Sequence, residues 1–194
     1  MPSKTLVLAS SSPFRKSILE KLEVPFETAS PDIDETPFEG ESPIELVERL
    51  AVEKAKAIAS QYSNALIIGS DQVAVHGTEI VGKPHTHEVA VQQLKQASGK
   101  KITLYTGLAL INSDTNNIQS EVVPFSVCFR ELSEDMIESY LRKEQPYNCA
   151  GSVRSEALGI VLLERFEGED PNTLIGLPLI RLISMLENEQ FVIL

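Results

Sequence analysis

Apolar residues recur along the chain in two alternating patterns, as short continuous runs and as stretches with helical spacing. The runs predict strands, and apolar residues three or four positions apart predict helices with one buried face. Strands are predicted at 5–9, near 25–29, and at 65–69, 101–111 and 120–130. Helices are predicted at 13–22, 43–60, 87–97, 133–143 and 177–187, with short strands or turns across 149–164. The alternation of the two kinds of element predicts an α/β fold.

The turn-rich segment DTNN at 114–117 lies between two long strand-like runs, which favours an antiparallel hairpin and therefore a mixed sheet. The 194 residues are 42% hydrophobic, enough for one well-buried core or two closely joined lobes. Neither an internal repeat nor a Gly/Ser linker divides the chain. We therefore predict a single domain over 1–194.

Charge and composition exclude several classes of partner. The chain has 17 basic and 28 acidic residues, and a net charge of −11 repels polymeric nucleic acid. A small phosphorylated ligand is still allowed if the few cations converge. No apolar run is long enough to span a membrane, and the first residues lack a leader-like apolar stretch, so a cytoplasmic protein is expected. Cys128 and Cys149 lack metal-ligand spacing and are expected to be reduced, structural thiols.

A strand, three serines and a helix follow one another in residues 6–22. Ser12 is a good N-cap and Pro13 a good first helical residue. Free backbone N–H groups at such a helix start, with the hydroxyls of Ser10 and Ser12 and the guanidinium of Arg15 beside them, would hold an anion well. The alternative is an ordinary capped turn with a solvated arginine.

The predicted helix at 43–60 has a cation within its apolar stripe. Ser42 and Glu45 have the spacing of a capping box, and the stripe places Lys54 between Leu50 and Ile58. Such a lysine either extends its ammonium group to solvent or meets an anion.

Three further charged residues lie in predicted loops. Asp71 follows the strand at 65–69, where it could bind a metal, accept a proton from water or simply occupy a turn. Glu35 and Lys83, taken singly, are typical of solvated surface. Taken together, Ser10, Ser12, Arg15, Lys54 and Lys83 are candidate phosphate contacts, and Glu35 and Asp71 are candidate metal or base groups. The motifs of P-loop and dinucleotide-binding enzymes are absent from the sequence.

Eight segments, in order along nearly the whole chain, resemble the Maf (septum formation inhibitor) family of nucleoside triphosphate pyrophosphatases. They are LASSSPFR, PDIDETP, LAVEKA, IIGSDQV, GKP, TGLAL, CAGSVRSEALG and PNTLIGLPL. The resemblance implies an elongated, two-lobed fold similar to inosine triphosphatase, with a central cleft. It also implies cleavage of a nucleoside triphosphate to the monophosphate and pyrophosphate with a divalent cation, Mg²⁺ or Mn²⁺.

By position, Asp71 matches the family's proton acceptor and metal-handling carboxylate. The matches to its other phosphate- and metal-handling positions are Ser10, Ser12, Arg15, Glu35, Lys54 and Lys83. Phe14, Gln72 and Glu156 depart from relatives that act on dTTP and UTP, and resemble the subfamily of 7-methyl-GTP pyrophosphatases, although its better-known members have tryptophan at the Phe14 position.

These departures fit the chemistry of the base. A carboxylate at Glu156 suits the N1–H and N2–H₂ donors of guanine, and an aromatic ring at Phe14 suits a cationic base. The alternatives are core packing for Phe14, and a solvated loop or a pair with Arg154 for Glu156.

The leading functional hypothesis is hydrolysis of 7-methyl-GTP in the clearance of modified nucleotides. The alternatives are a broader dTTP/UTP or modified-nucleotide pyrophosphatase and a nucleotide-binding regulator of cell division. The expected partner is a small nucleotide, with neither a polymeric nucleic acid nor a membrane, and the resemblance leaves open a homodimer.

Overall fold

The computed structural model describes residues 4–194. Residues 1–3, with which the predicted domain begins, lie outside the described residues. The strands are β1 (Thr5–Ala9), β2 (Phe26–Ala29), β3 (Ala65–His76), β4 (Glu79–Val81), β5 (Lys101–Asn112), β6 (Ile118–Phe129) and β7 (Leu163–Glu167). The helices are α1 (Pro13–Leu19), α2 (Pro43–Ala59), α3 (His87–Ala97), α4 (Glu134–Glu144), α5 (Pro171–Ile175) and α6 (Leu179–Asn188).

The strands form one seven-stranded mixed sheet in the order β2-β1-β3-β5-β6-β7, with β4 also paired to β3. β1 is parallel to both β2 and β3, whereas β3 and β4, and β6 and β7, are antiparallel. The turn between β5 and β6 is short enough to require an antiparallel pair. The predicted α/β fold with a mixed sheet is confirmed.

The chain divides into two compact units. The first comprises residues 1–72, 105–123 and 170–194, and the second comprises 73–104 and 124–169. Both units draw on separate parts of the chain. The prediction that 1–194 is a single domain is not tested by this division and stays a prediction.

The first unit buries both faces of its strands. Alternate residues such as Leu6, Leu8 and Ile68 pack with α1 and α6, and the intervening residues pack with Ala55 and Ile58 of α2. Two-sided burial explains why these strands are continuous apolar runs. In the second unit, α3 packs against α4.

Local signals in the sequence place most helix boundaries correctly. The capping box of Ser42 and Glu45 is present, and α2 begins at Pro43 as predicted. The regular part of the first helix is shorter than predicted, because its last turn tightens to a 3-10 turn over Glu20–Leu22. The region 149–164 contains 3-10 turns at Ala150–Ser152 and Leu158–Leu162, and β7 begins at Leu163. Among the helices of residues 4–194, none has the length and apolar composition needed to cross a membrane.

Candidate active site

Strand β3 carries Asp71 and runs on to His76. The predicted end of this strand at residue 69 is therefore wrong, and Asp71 does not occupy a turn. Gly69 is small here because α2 packs directly on the strand: a side chain at 69 would collide with the carbonyl oxygen of Ala51. Side chains two residues apart in a strand share a face, so Asp71 also points toward α2.

Lys54 of α2 meets two carboxylates. Its Nζ lies 2.6 Å from Oδ1 of Asp71 and 2.8 Å from Oε1 of Glu35. Lys54 is only 7% exposed and Asp71 9%, whereas the side chain of Glu35 is 60% exposed. Of the two alternatives for a lysine in an apolar stripe, the structure therefore shows contact with anions.

The serine loop before α1 is built by its own hydroxyls. Ser12 is the N-cap, and its Oγ accepts from the backbone N–H of Arg15 at 3.4 Å. Ser10 is buried, and its Oγ accepts from the N–H of Ser12 at 3.1 Å. Because a hydroxyl also carries one donor, both serines can still donate to an anion. α1 has only seven residues, so the hydroxyls and Arg15 are better suited to such a contact than its helix dipole.

Arg15 is anchored at one end of its guanidinium. Its Nε donates to the carbonyl oxygen of Gly176 at 2.8 Å. Burial lowers the pKa of Arg15, and the nearby carboxylates of Asp71 and Glu35 oppose that shift by favouring the charged form. An arginine stays protonated under these conditions. Within residues 4–194, only Nε of its side chain donates a hydrogen bond, so the Nη groups are available to an anion.

Gln72 lies on the face of β3 opposite Asp71. Its Nε2 donates to Oγ1 of Thr106 and to the carbonyl oxygen of Thr173, both at 2.7 Å. Ser70, on the same face, lies within hydrogen-bond distance of the carbonyl oxygens of Gly107 and Gly176. Gln72 and Ser70 thus hold the short helix α5 and its C-terminal glycine against β3. This supporting role was not anticipated from the sequence.

Phe14 is 47% exposed, so its ring is not part of the core. This removes the packing alternative for Phe14 and leaves an accessible aromatic face in the first turn of α1. The specificity role of Phe14 stays a prediction.

Lys83 and Glu156 belong to the second unit. Lys83 is exposed, and the carbonyl oxygen of its neighbour Gly82 accepts from Gly151 N–H and from Nε2 of Gln93. These two bonds hold the loop of Lys83 to the 3-10 turn at Ala150–Ser152.

Glu156 does lie beside Arg154, as one of the alternatives proposed. Its Oε1 is 3.6 Å from Nε of Arg154, whose Nη1 donates to Glu144 at 2.9 Å. The hydroxyl of Tyr140 accepts from the N–H of Arg154, and burial raises the pKa of Tyr140 to about 12. The loop that carries Glu156 is therefore supported from α4.

A sequence comparison decides the family. The family model described as Maf-like protein matches residues 5–189. The chain belongs to the Maf-like family. The 7-methyl-GTP pyrophosphatase of Colwellia psychrerythraea (strain 34H) is 60% identical to this Maf-like chain over 184 residues, which cover 95% of the chain and 92% of the relative.

A structural comparison matches this Maf-like chain to the Ham1 protein of Staphylococcus aureus. The TM-score is 0.44 at 16% sequence identity, and the match covers 68% of this chain and 73% of the other.

The residues that could hold a metal in the Maf-like chain are two carboxylates. In residues 4–194 no group of three or more His, Cys, Asp and Glu side chains is arranged to hold a metal ion. Asp71 and Glu35 converge on one ammonium group and are both acidic oxygen donors. Mg²⁺ is commonly bound through one or two carboxylates together with substrate phosphates and water. The donor set therefore fits a cation that binds with a phosphorylated substrate.

Proposed function

We propose that this chain is a metal-dependent nucleoside triphosphate pyrophosphatase that hydrolyses 7-methyl-GTP to 7-methyl-GMP and pyrophosphate, and so clears modified nucleotides. The observation that carries the proposal is the 60% identity, over almost the full length of both chains, to a relative named as a 7-methyl-GTP pyrophosphatase. The contacts of Lys54 with Asp71 and Glu35 support it, because they bring together a cation and two carboxylates.

Asp71 is the proposed general base. A water oxygen attacks the α-phosphorus, the bond from that phosphorus to the oxygen bridging the α- and β-phosphates breaks, and pyrophosphate leaves with that oxygen. The proton of the water passes to the carboxylate of Asp71. Lys54 at 2.6 Å keeps this carboxylate oriented.

The negative charge of the triphosphate is proposed to be neutralised by Arg15, Lys54 and Lys83, with the hydroxyls of Ser10 and Ser12 as further donors. Arg15 is suited to this role because the carbonyl oxygen of Gly176 fixes its Nε, and its Nη groups can then donate to a phosphate. Asp71 and Glu35 are the proposed ligands of a divalent cation, Mg²⁺ or Mn²⁺. When bound, such a cation would polarise a phosphoryl oxygen and offset phosphate charge.

Base recognition is proposed to rest on Glu156 and Phe14. The carboxylate of Glu156 would accept from N1–H and N2–H₂ of the guanine, and the exposed ring of Phe14 would stack on the cationic base. Gln72 is proposed to support the phosphate contact of Arg15 and not to touch the base, because its amide N–H₂ group bonds to Thr106 and to the Thr173 carbonyl of α5. The homodimer and the cytoplasmic location stay predictions.

Pyrophosphate release from a nucleotide panel tests the proposal. Purified protein is mixed with 7-methyl-GTP, GTP, dTTP or UTP, with Mg²⁺, Mn²⁺ or a chelator. We expect metal-dependent release that is fastest with 7-methyl-GTP. Faster release from dTTP or UTP would favour a broader pyrophosphatase, and nucleotide binding without release would favour a regulator.

A further inference from the structure

The segment that carries Glu35 has no regular structure of its own. Residues 30–42 join β2 to α2 without a helix or strand. Irregular segments of this length in compact proteins are uncommon and are often functional. The Glu35 side chain is mostly exposed, and the contact that the structure shows for it is with Nζ of Lys54. Its position therefore depends on what fixes the surrounding backbone.

One arginine of α2 reaches across to this segment. Nε and Nη2 of Arg49 lie 2.6 Å and 2.8 Å from the two carboxylate oxygens of Glu41. Nη2 also donates to the carbonyl oxygen of Thr36 at 3.1 Å, and the guanidinium lies 4.0 Å from the ring centroid of Phe38. The side chains of Arg49 and Glu41 are only 16% and 7% exposed.

These contacts fix both ends of the stretch that follows Glu35. Thr36 is its direct neighbour in the chain, so a bond to the Thr36 carbonyl restrains the backbone from which Glu35 projects. Glu41 fixes the backbone at the other end of this stretch, since its carboxylate also accepts from the N–H of Phe38. A two-bond contact between a guanidinium and a carboxylate fixes direction as well as distance, which a lysine cannot do.

The pair also stays ionised over a wide pH range. The hydrogen bonds from Arg49 lower the pKa of Glu41 to about 2. Glu41 therefore stays ionised at neutral and mildly acidic pH, where its carboxylate can accept from Arg49.

We infer that Arg49 and Glu41 are positioning residues that hold Glu35 where it can bind a divalent cation. The inference rests on the proposed function, which makes Glu35 a metal ligand. In residues 4–194, the hydrogen bonds of Arg49 and Glu41 go to none of the residues proposed to bind substrate or metal, so their effect on metal binding would pass through Glu35. Their loss should weaken metal binding and leave the chemical step at saturating metal nearly unchanged.

Four variants separate this role from a general effect on α2. Glu41→Gln and Arg49→Lys break the two-bond contact with residues 36–41. Glu53→Gln removes the partner that Arg49 has on its own helix, and Lys56→Met removes an exposed cation of the same helix. Each is compared with wild type for Mn²⁺ affinity by electron paramagnetic resonance, for the metal concentration giving half-maximal hydrolysis, and for amide hydrogen exchange in 34–41.

We expect Glu41→Gln and Arg49→Lys to weaken Mn²⁺ affinity by about 10-fold or more, the usual effect of losing a residue that orients a metal ligand. Exchange in 34–41 should become faster, and kcat at saturating metal should stay within about twofold. Glu53→Gln and Lys56→Met should match wild type. In Glu35→Gln protein, adding Arg49→Lys should cause no further loss of affinity, because the two residues act as one unit.

Several results would overturn the inference. They are unchanged metal affinity in both loop variants, an equal loss in Glu53→Gln, a full additional loss in the double variant, or a wild type that neither binds nor requires a divalent cation. If wild type hydrolyses no nucleotide but Arg49→Lys still weakens Mn²⁺ binding, the proposed function fails and the inference stands. If hydrolysis is metal-dependent and Arg49→Lys leaves that dependence unchanged, the inference fails and the function stands.

Discussion

The ammonium nitrogen of Lys54 lies 2.6 Å from Oδ1 of Asp71, and both residues are more than nine-tenths buried. Breaking a buried ion pair by removing one partner is usually costly, because the remaining charge loses its compensation. The two partners are not equivalent here. Lys54 retains Glu35 if Asp71 is neutralised, whereas Asp71 loses the cation that directly contacts it if Lys54 is removed.

Asp71→Asn should abolish hydrolysis and leave the fold intact. The amide keeps the shape of the side chain and an oxygen for Lys54, but it cannot accept a proton. The loss in kcat should be at least ~100-fold, the usual contribution of a general base. Asp114→Asn, which removes a carboxylate paired with Lys4, is the control and should retain activity. Pyrophosphate release by Asp71→Asn protein at the wild-type rate would show that Asp71 is not the base.

Lys54→Met should lose both activity and stability. The stem packing is retained, but the Asp71 carboxylate is left buried, a change that costs up to about 3–5 kcal/mol where no other cation compensates. Arg15 compensates in part. The double variant Lys54→Met/Asp71→Asn should recover stability and remain inactive. Urea denaturation and pyrophosphate release measure the two effects, with Lys56→Met as control. A double variant less stable than Lys54→Met would contradict this account.

Glu156→Gln should reduce selectivity for 7-methyl-GTP. Glutamine offers one donor and one acceptor where the carboxylate offers two charged acceptors, so about 1.5–3 kcal/mol of binding should be lost. The ratio of kcat/KM for 7-methyl-GTP to that for UTP should fall about 10-fold or more. Glu164→Gln is a matched control, since Glu164 also lies near an arginine, at 3.7 Å. An unchanged ratio in Glu156→Gln would mean that Glu156 does not read the base.

Gln72→Thr should destabilise the first unit. The shorter side chain loses the bonds to Thr106 and to the Thr173 carbonyl, each worth about 0.5–1.5 kcal/mol. Because Gly176 at the end of α5 anchors Arg15, KM should rise for all nucleotides alike. A change confined to one base would show instead that Gln72 contacts the base directly. Denaturation curves and kinetics on two nucleotides decide between these outcomes.

The contribution of Glu41 to stability should depend on pH. Its pKa falls from the ordinary value of 4.5 to about 2 because Arg49 hydrogen-bonds the charged form. A depressed pKa stabilises the folded state above about pH 4.5, and this stabilisation is lost as the pH falls toward 2. The difference in unfolding midpoint between wild type and Glu41→Gln should therefore be constant from pH 7 to 5 and shrink at pH 3.5. A difference that grows on acidification would contradict the assignment.

Signals that lie close together in the sequence predicted the fold well. The capping box of Ser42 and Glu45 and the apolar stripe around Lys54 placed α2 to within a residue. Helix α5 was missed although Asp170, Pro171 and Gly176 are a cap, a first helical residue and a left-handed end. At five residues it has too few apolar positions to show a period.

Contacts between residues that lie far apart in the sequence could not be predicted from the sequence pattern. Gln72 and Thr173 are 101 positions apart, and nothing near either residue indicates the other. The strand end predicted at residue 69 is wrong for a related reason. A Gly-Ser pair is typical of a turn, but here the glycine is required by a helix whose packing against β3 only the folded chain reveals. The stripe around Lys54 could place its ammonium group among apolar residues, but it could not identify Asp71 and Glu35 as its partners.

The distance of α2 from the sheet and the strength with which α2 is held there depend on different atoms. A side chain at Gly69 would meet the carbonyl of Ala51, and one at Gly107 would meet that of Val47, so main-chain atoms set how closely α2 approaches. Apolar side chains elsewhere on α2, such as Ile58, affect how tightly the helix is held but do not set this distance. Such side chains can therefore be redesigned for thermal stability while the spacing between Lys54 and Asp71 is maintained.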